Sequence, residues 1–393
     1  MINYSDLHIV VFTGIHPVLS FFVRQMVAYL EEKSIDYYLA DADNPDTYTC
    51  SEFDHYIKQP GVVCFMFNNI GSTLQTNDGS NIWKMLGIPV FNFLVDHPRN
   101  YGATLRNPAC DIYAFALDMD HVVFMKEHYP ELKGIFFSPN GGTSLGNNIP
   151  YDQRSIDVLY MGNCHEPIDS YPAVNYLPDR GQEYYQYTIS TLMQNPSLST
   201  DEVIASYIRE RDLSLSEEQI YNLHTNTAIY IETTVRRHTK LSGMKALDDS
   251  GIRVEVYGGF WDCEDCPFSE NINIHERIDI AELLVKACDA KITLCFMPWF
   301  KKGASEKNFD AMLNGSLCVT DSSEYLKQNY VDGKNIVYFD LNNPAQMAAD
   351  IKWLLTNPEA ASVIAQRGYE TASKYDTWNN RFDFILEKMT EVL

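Results

Sequence analysis

The sequence lacks both a long apolar run and an excess of basic residues. No stretch approaches the ~20 apolar residues of a transmembrane helix, and residues 1–8 lack the basic region and apolar run of a signal peptide. Lysine and arginine total 30 against 53 aspartates and glutamates, so the formal charge is -23. A surface of this charge repels nucleic-acid phosphates. We therefore expect neither a transmembrane segment nor a nucleic-acid partner.

The sequence also lacks a convincing metal motif. Its nine cysteines are scattered, mostly inside apolar runs, which predicts reduced core residues and a cytoplasmic protein. Cys263 and Cys266 form the one close pair, and no second Cys-x-x-Cys completes a zinc tetrad. The pattern Asp-x-Asp occurs at 41–43 and 118–120, but neither copy adjoins a predicted phosphate site. We predict no metal and no cofactor.

What the sequence does contain is an alternation of strands and helices in both halves. With 393 residues, 45% hydrophobic, the chain is too long for one typical core and suggests two folded domains. Leu7–Thr13, then Gly14 and a helical pattern, opens a doubly wound α/β domain, which is typical of ligand binding at the strands' carboxyl ends. Further strands are predicted at 36–40, 62–67 and 88–95, helices at 48–57 and 80–86, and short strands or turns at 111–117, 121–125 and 134–137.

A second α/β domain is predicted after a turn-rich linker at 139–150. It begins with strand 156–161 and resumes with strands at 252–257 and 274–278 and a helix at 280–287. Residues 166–249 interrupt this rhythm: they are first Tyr-rich and then helical, with a predicted cap at Ser199. We interpret them as a helical insertion that covers the domain, shapes an acceptor site or forms a homodimer contact.

The most informative stretch is 291–321. It predicts a buried strand at 292–296, a loop with Lys301 and Lys302, a helix from about Ser305 that ends at Gly315, and a strand at 316–320. A capped helix start with lysines beside it is suited to bind an anion. Asp310 stands one residue from the helix's apolar face. The stretch is therefore either a phosphate pocket with a carboxylate for ribose hydroxyls or an ordinary capped helix.

This stretch resembles the signature of group-1-type glycosyltransferases of two-domain GT-B architecture, and most of all the branch of spore-maturation-type enzymes. Lys307 stands where that family usually has arginine. Retaining relatives carry two glutamates eight residues apart; Asp310 matches the second, whereas Lys302 occupies the first, so the stereochemical outcome stays open. The matching residues are Lys291, Ile292, Leu294, Glu306, Phe309, Asp310, Ala311, Met312, Gly315, Thr320 and Asp321.

The resemblance implies two Rossmann-like domains that face a cleft. The acceptor domain would be 1–145, completed by a C-terminal helix at 376–393, and the nucleotide-sugar domain would be 155–375, with the insertion at 166–249. The implied activity is metal-independent transfer of a sugar from a nucleotide-diphosphate donor, taken as a UDP-sugar, to a hydroxyl of a glycan, a protein or a small molecule. A nucleotide-sugar epimerase of the same fold and a non-catalytic nucleotide-sugar-binding subunit are the alternatives.

Site residues follow partly from position and partly from the resemblance. His16, in the turn after the first strand, and Asp96 and His97, after the fourth, are candidate bases at the sheet edge where ligands bind. Gly14 and Arg99 lie close to them in the sequence and are predicted to line the acceptor site or the cleft. The predicted donor-binding residues are Gly162, Asn163, Tyr257, Gly258, His275, Lys302, Ser305, Glu306, Lys307, Asn308 and Asp310.

Overall fold

The computed structural model describes residues 7–146, 149–165, 179–261 and 267–393. They form two compact units. Unit 1 comprises 1–141 and 376–393, and unit 2 comprises 142–375. The chain passes from the first unit to the second between Gly141 and Gly142, inside the turn-rich linker, and returns after Tyr375.

Unit 1 contains a six-stranded parallel sheet of order β2-β1-β3-β4-β5-β6. β3 and β4 are buried along their whole length, because central strands covered on both faces read as continuous apolar runs. The strands are β1 (His8–Thr13), β2 (Asp36–Asp41), β3 (Val62–Phe67), β4 (Val90–Leu94), β5 (Ile112–Ala116) and β6 (Gly134–Phe137). The helices are α1 (Pro17–Lys33), α2 (Asp46–Thr49), α3 (Ser51–Tyr56), α4 (Ile82–Leu86), α5 (Gly102–Leu105), α6 (Met119–His128) and, at the end of the chain, α15 (Trp378–Val392).

The C-terminal helix α15 belongs to the core of unit 1. Trp378 stacks on Phe382 with ring centroids 5.4 Å apart and lies 4.8 Å from the ring of Phe22 of α1. A Cβ at Gly141 would lie 2.5 Å from the backbone of Trp378, so only glycine permits this approach of two chain segments. The aromatic contacts and the close backbone packing attach the last helix to the first sheet.

Unit 2 contains a second six-stranded parallel sheet, of order β12-β11-β10-β7-β8-β9. Because β8 and β9 lie on one side of β7 and β10 to β12 on the other, the strand order reverses between β7 and β10. The strands are β7 (Ile156–Met161), β8 (Val254–Tyr257), β9 (Ile272–His275), β10 (Ala290–Cys295), β11 (Leu317–Asp321) and β12 (Val337–Phe339). The helices are α7 (Asp179–Gln194), α8 (Thr200–Glu210), α9 (Glu217–Asp249), α10 (Ile280–Asp289), α11 (Glu306–Leu313), α12 (Leu326–Asn329), α13 (Pro344–Thr356) and α14 (Pro358–Tyr375).

The described part of the insertion is a helical subdomain with its own small core. Helices α7, α8 and α9 bury a cluster that includes Tyr184, Tyr185 and Tyr207. Capping boxes at Ser199 and Ser216 start α8 and α9, as the Ser-x-x-Glu and Ser-x-x-Gln patterns predict. The second half of α9 then packs on the sheet through Met244 and Leu247. The same helix therefore joins the insertion to the sheet.

The α/β class and the two parallel sheets confirm the sequence prediction, and one local prediction is wrong. Residues 121–125 are not a strand or turn but the middle of α6, which starts when the Asp118 side chain accepts a hydrogen bond from the backbone N–H of Asp120. The strand predicted at 274–278 lies earlier, at Ile272–His275.

Candidate active site

The carboxyl ends of β7 and β8 are held together by backbone and amide contacts. Gly162 N–H donates to the Tyr257 carbonyl (2.9 Å), and Gly259 N–H donates to Oδ1 of Asn163 (2.8 Å). A Cβ on Gly258 would lie 2.2 Å from the Gly162 carbonyl oxygen, so this position requires glycine. These turns stand beside the strand-order reversal, where ligands of open parallel sheets bind.

Helix α11 starts beside the same strand ends, after β10. The Ser305 hydroxyl accepts from the Lys307 N–H, and Oδ1 of Asn308 accepts from the Ser305 N–H, which completes a capping box. Asn308 is fully buried and donates through Nδ2 to the Thr320 hydroxyl (3.1 Å). Lys307 Nζ lies 3.3 Å from the position that a Cβ on Gly162 would occupy. The predicted residues Gly162, Ser305, Lys307 and Asn308 are thus brought together.

Helix α9 brings further cations to the end of β7. Lys240 is 4% exposed, and its Nζ donates to the Asn163 carbonyl (2.8 Å). Nη1 of Arg237 donates to the His165 carbonyl (2.6 Å). Arg236, one turn before Lys240, lies close enough to lower the pKa of both Lys240 and His165. Two elements, α9 and α11, therefore direct positive charge toward the same turn.

The electrostatics of this cluster favour a bound anion. Burial, followed by the charges of Lys307 and Arg236, holds the pKa of Lys240 well below its usual value. Burial, and then Lys240, Arg236, Lys307 and Arg237, lower the pKa of His165 to about 3. Within the described ranges no carboxylate forms a salt bridge with Lys240 or Lys307. An anion placed here would relieve the repulsion among like charges.

Sequence reasoning missed the contribution of α9, because it considered the insertion as structural cover, as part of an acceptor site or as a homodimer contact, and gave it no role at the donor phosphates. Arg236, Arg237 and Lys240 recur at i, i+1 and i+4 of a helix, so they can share a side of it. In a chain with a formal charge of -23, such a basic cluster is the signal that could have identified them.

The predicted residues at β8 and β9 form an aromatic pair. The rings of Tyr257 and His275 stack with centroids 4.4 Å apart and planes 12° apart. Nε2 of His275 lies 2.5 Å from Oε2 of Glu255, which fixes the orientation of the imidazole. Tyr257 and His275 are paired neighbours in the sheet, at the strand ends next to Gly258. They flank the cation cluster on the side away from β10.

Lys301 and Lys302, which were predicted to lie beside Lys307, line a cavity of about 490 Å³ whose lining does not include Lys307. Asp321 lies in that cavity, accepts from the Met297 N–H (2.6 Å), and has its pKa raised to about 6 by burial. Lys301 donates from Nζ to the Pro196 carbonyl and therefore contacts the insertion.

The structure also corrects the surroundings of Asp310. Its side chain is not open to a ligand beside the apolar face but 4% exposed, and Oδ1 accepts from the Thr143 N–H (2.8 Å). Burial raises its pKa well above the usual value. Asp310 therefore anchors the segment that enters unit 2. Glu306, in the first turn of the helix, stays half-buried, with Oε2 accepting from the Ser305 hydroxyl (3.1 Å).

In unit 1, the turn after β1 presents His16 at the start of α1. Gly14 has φ +97°, and a Cβ there would lie 2.6 Å from Oδ1 of Asp41. Nδ1 of the exposed His16 accepts from the Val18 N–H (3.2 Å). A neutral imidazole with its Nδ1 lone pair engaged carries its proton on Nε2. In this conformation His16 is a hydrogen-bond donor, and a base role requires the ring to turn.

In the turn after β4, Asp96 has different surroundings from its neighbours His97 and Arg99. Asp96 is exposed, and its Oδ2 accepts from Nδ2 of Asn68 (3.0 Å) and from the Tyr101 hydroxyl (2.8 Å). Both ring nitrogens of His97 face Arg99: Nδ1 lies 3.1 Å from its backbone N and Nε2 2.6 Å from its Nη2. Arg99 is buried, and its guanidinium carbon lies 5.8 Å from the centroid of the Phe124 ring. Of the three, Asp96 presents a carboxylate at the surface.

Neither Asp-x-Asp pattern is arranged as a metal site in the described part of the chain. Asp41 accepts from the Asp43 N–H (3.0 Å), Asp43 accepts from the Ile15 N–H (2.8 Å), and Asp118 caps α6. Within that part, no three His, Cys, Asp or Glu side chains converge as metal ligands. Cys263 and Cys266 lie outside the described residues.

Comparison with known proteins gives a family model and a fold. Residues 237–387 match the family model described as glycosyl transferase-like, a segment that runs from Arg237 through the loop after β10 to α15. No curated protein sequence matches the chain. Within the described ranges, no helix has the length and apolarity needed to cross a membrane.

Solved structures share the fold at low sequence identity. An α-glucosyltransferase in complex with UDP and a 13-mer DNA containing an HMU base is 12% identical, with a TM-score of 0.53 over 98% of this chain and 100% of that one. Sucrose-phosphate synthase from Thermosynechococcus elongatus is 12% identical, with a TM-score of 0.52 and the same coverage. TarM (11%, 0.45) is matched over 84% of this chain and 55% of its own. The chain thus has the two-sheet α/β fold of GT-B glycosyltransferases.

Proposed function

We propose that the protein is a glycosyltransferase that moves a sugar from a nucleoside-diphosphate donor, with UDP as the nucleotide, to a hydroxyl of a glycan, a protein or a small molecule. One observation carries the proposal. Lys307 at the start of α11 and Lys240 of α9 converge on the turn Gly162–Asn163, at the point where the strand order of unit 2 reverses. The match of residues 237–387 to a glycosyl transferase-like model supports it. The spore-maturation-type branch stays a prediction.

The cation cluster would stabilise the departing diphosphate. As the bond between the anomeric carbon and the β-phosphate oxygen breaks, negative charge grows on that oxygen. Lys307, Lys240 and the N–H groups at the start of α11 would neutralise this charge, which is the role that a metal ion plays in metal-dependent transferases. Tyr257 and His275 would flank the nucleoside, since they stand at the neighbouring strand ends.

The acceptor hydroxyl would form the new bond to the anomeric carbon and lose its proton to a base of unit 1. We assign this base to Asp96, because its carboxylate is exposed, whereas His97 faces Arg99 and His16 presents a donor nitrogen. Asp310 keeps its position by binding the Thr143 N–H, so we place it behind the donor site and not on the ribose.

Binding of UDP, measured by calorimetry, tests the donor site. Lys307→Ala should weaken UDP binding about 10- to 100-fold, because a charged hydrogen bond contributes ~1.5–3 kcal/mol. Lys245→Ala is the matched control: this lysine of α9 pairs with Asp249 on the surface and should leave UDP affinity unchanged. Equal affinities of wild type and Lys307→Ala would contradict the site.

Incubation with labelled UDP-sugars in the absence of acceptor tests the reaction class. Slow release of free sugar and UDP is expected, because water can replace the acceptor. Interconversion of the sugar would instead indicate an epimerase, and binding of UDP without any turnover would indicate a non-catalytic subunit. Failure of wild type to bind UDP, GDP or dTDP would overturn the proposal as a whole.

A further inference from the structure

Two side chains of unit 1 bind the same oxygen of Asp96. Nδ2 of Asn68 donates to Oδ2 of Asp96 (3.0 Å), and the Tyr101 hydroxyl donates to that same atom (2.8 Å). Within the described ranges no group donates a hydrogen bond to Oδ1, and Asp96 is exposed. One oxygen of this carboxylate is therefore held by the protein, and the other is open to solvent or to a ligand.

Both partners of Asp96 present a hydrogen atom to it. The Val95 N–H donates to Oδ1 of Asn68 (2.9 Å), which fixes the orientation of the amide, so its NH₂ group faces Asp96. Burial, followed by the charge of Asp96, raises the pKa of the Tyr101 hydroxyl above its usual value. Tyr101 therefore keeps its proton and remains a donor toward the carboxylate.

The turn that carries Asn68 is fixed from inside the sheet. Asn68 and Asn69 both have positive φ (48° and 64°), a left-handed backbone that asparagine tolerates better than most residues. Asn92, fully buried in β4, donates from Nδ2 to Oδ1 of Asn69 (2.7 Å) and accepts at its own Oδ1 from the Asn69 N–H (3.0 Å). A buried asparagine in an apolar strand is costly unless such bonds are made. The pair ties the turn after β3 to the strand that Asp96 follows.

We propose that Asn68 and Tyr101 are positioning residues for Asp96, and that they leave its Oδ1 as the atom that takes the proton of the acceptor. The inference rests on the proposed function, in which Asp96 is the base. As the acceptor oxygen bonds to the anomeric carbon with its electron pair, its proton passes to Oδ1. The electrons of the broken bond leave with the β-phosphate oxygen of UDP. A carboxylate held through Oδ2 does not rotate freely about its Cβ–Cγ bond, so the reacting oxygen keeps its position.

Hydrolysis of a UDP-sugar without acceptor tests these roles, because water then gives its proton to the same base. The substrate is whichever of UDP-glucose, UDP-galactose and UDP-N-acetylglucosamine wild type hydrolyses fastest. Asp96→Asn should lower kcat about 100-fold. Tyr101→Phe and Asn68→Gly should each lower kcat about 10-fold, since each removes a hydrogen bond to a charged group. KM for the donor should stay unchanged in all three, because the donor is proposed to bind unit 2.

Combined variants separate positioning from structural support. If Asn68 and Tyr101 act only through Asp96, then adding Tyr101→Phe or Asn68→Gly to Asp96→Asn should cost no further activity. Glycine adopts positive φ freely, so Asn68→Gly keeps the turn, and thermal unfolding checks that each variant folds. Tyr113→Phe is the matched control: in the described part of the chain its hydroxyl makes no hydrogen bond, so kcat should equal that of wild type.

A spectroscopic readout tests the contact independently of activity. The side-chain ¹⁵NH₂ resonances of Asn68, assigned by Asn68→Gly, should move when the carboxylates are titrated with acid. The same resonances should lose this movement in Asp96→Asn, because the amide then has no titrating partner. Movement that persists in Asp96→Asn would contradict the contact on which the inference depends.

The kinetic outcomes distinguish failure of this inference from failure of the proposed function. Unchanged kcat in Tyr101→Phe and Asn68→Gly, together with a strong loss in Asp96→Asn, would overturn the positioning roles and leave the base standing. Equal losses from Tyr101→Phe with and without Asp96→Asn would show a structural role and overturn them as well. Full activity of Asp96→Asn would overturn both the base and its positioning, and leave the donor site standing. No hydrolysis by wild type would mean that the proposed function fails, and this inference with it.

Discussion

At the scale of single residues, Lys240 shows why the site favours a bound anion. A lysine that is 4% exposed and adjoins Lys307 and Arg236 is costly in its charged form. His165 and Cys164 are its other titratable neighbours, and the direct hydrogen bond of Nζ is to the Asn163 carbonyl. The free protein therefore lowers the pKa of Lys240, and a bound diphosphate would raise it again.

Proton uptake on UDP binding follows from that change. At a pH between the lowered pKa of the free protein and the raised pKa of the complex, Lys240 is neutral before binding and charged after it, so the complex takes up a proton. UDP affinity should consequently fall as the pH rises through this window. Calorimetric titration in two buffers of different ionisation enthalpy measures the uptake.

Two variants of α9 make the assignment specific. Lys240→Met should remove most of the proton uptake and weaken UDP binding, whereas Lys245→Met, at a surface lysine of the same helix, should leave both unchanged. Undiminished uptake in Lys240→Met would assign the proton to another group of the cluster, such as His165.

Single residues also show what the sequence could and could not predict about the site. Ser305, Lys307 and Asn308 were predictable because a helix cap is local: the four consecutive residues 305–308 determine it. The direction of Lys301 was not predictable, because it depends on the Pro196 carbonyl more than 100 residues earlier. The burial of Asp310 likewise depends on a hydrogen bond from the Thr143 N–H, and the periodicity of a helix cannot predict a contact so distant in the sequence.

At the scale of elements, α9 is the part that joins insertion, cation cluster and sheet. Its contact with the sheet depends on Gly243, where a Cβ would lie 2.3 Å from the ring of Phe296. That ring cannot easily move, because it packs between Tyr160 (5.7 Å) and Phe339 (5.4 Å). A glycine in the middle of a helix normally costs ~1 kcal/mol relative to alanine. Here the close packing of helix and sheet explains why a glycine occupies position 243.

Gly243→Ala should therefore destabilise the protein in spite of the better helix propensity of alanine. Overpacking costs ~1–3 kcal/mol and exceeds the gain of ~1 kcal/mol, so we expect the free energy of unfolding to fall by about 1 kcal/mol in chemical denaturation. UDP affinity should fall as well, because a displaced α9 moves Lys240.

Relief of the contact provides the control. Phe296→Leu combined with Gly243→Ala should be less destabilised than the sum of the two single variants, because the smaller side chain makes room for the added methyl group. Ser242→Ala, at the adjacent position of the helix, should leave stability within ~0.5 kcal/mol of wild type. Strict additivity of the two substitutions would show that the Gly243–Phe296 contact is not the cause.

At the scale of the whole molecule, the sequence predicted two parallel sheets because buried strands and capped helices alternate twice along the chain. Most strand predictions lie within two residues of the structure, since apolar runs such as 62–67 and 156–161 are bounded by turn residues. The prediction failed at 121–125, where a short apolar run fits a strand and a helix equally well and the cap at Asp118 decides. The role of α9 needed the tertiary structure, which brings residues 236–240 to residue 163.

The proposed division of labour between the units predicts where UDP protects the backbone. Every residue assigned to the diphosphate lies in unit 2, so UDP at 100 times its Kd should stabilise that unit by ~2.7 kcal/mol. Amide exchange should then slow most at 162–165, 236–240 and 305–308, which come from three separate elements and meet only at this site. The amides of unit 1 should keep their exchange rates, because Asp96 and its neighbours are proposed to bind the acceptor and not the nucleotide.

Hydrogen exchange followed by mass spectrometry measures both units in one experiment, with Lys307→Ala as the control that should lose the protection. Protection confined to unit 1 would place the nucleotide in the other sheet and reverse the assignment of the two units.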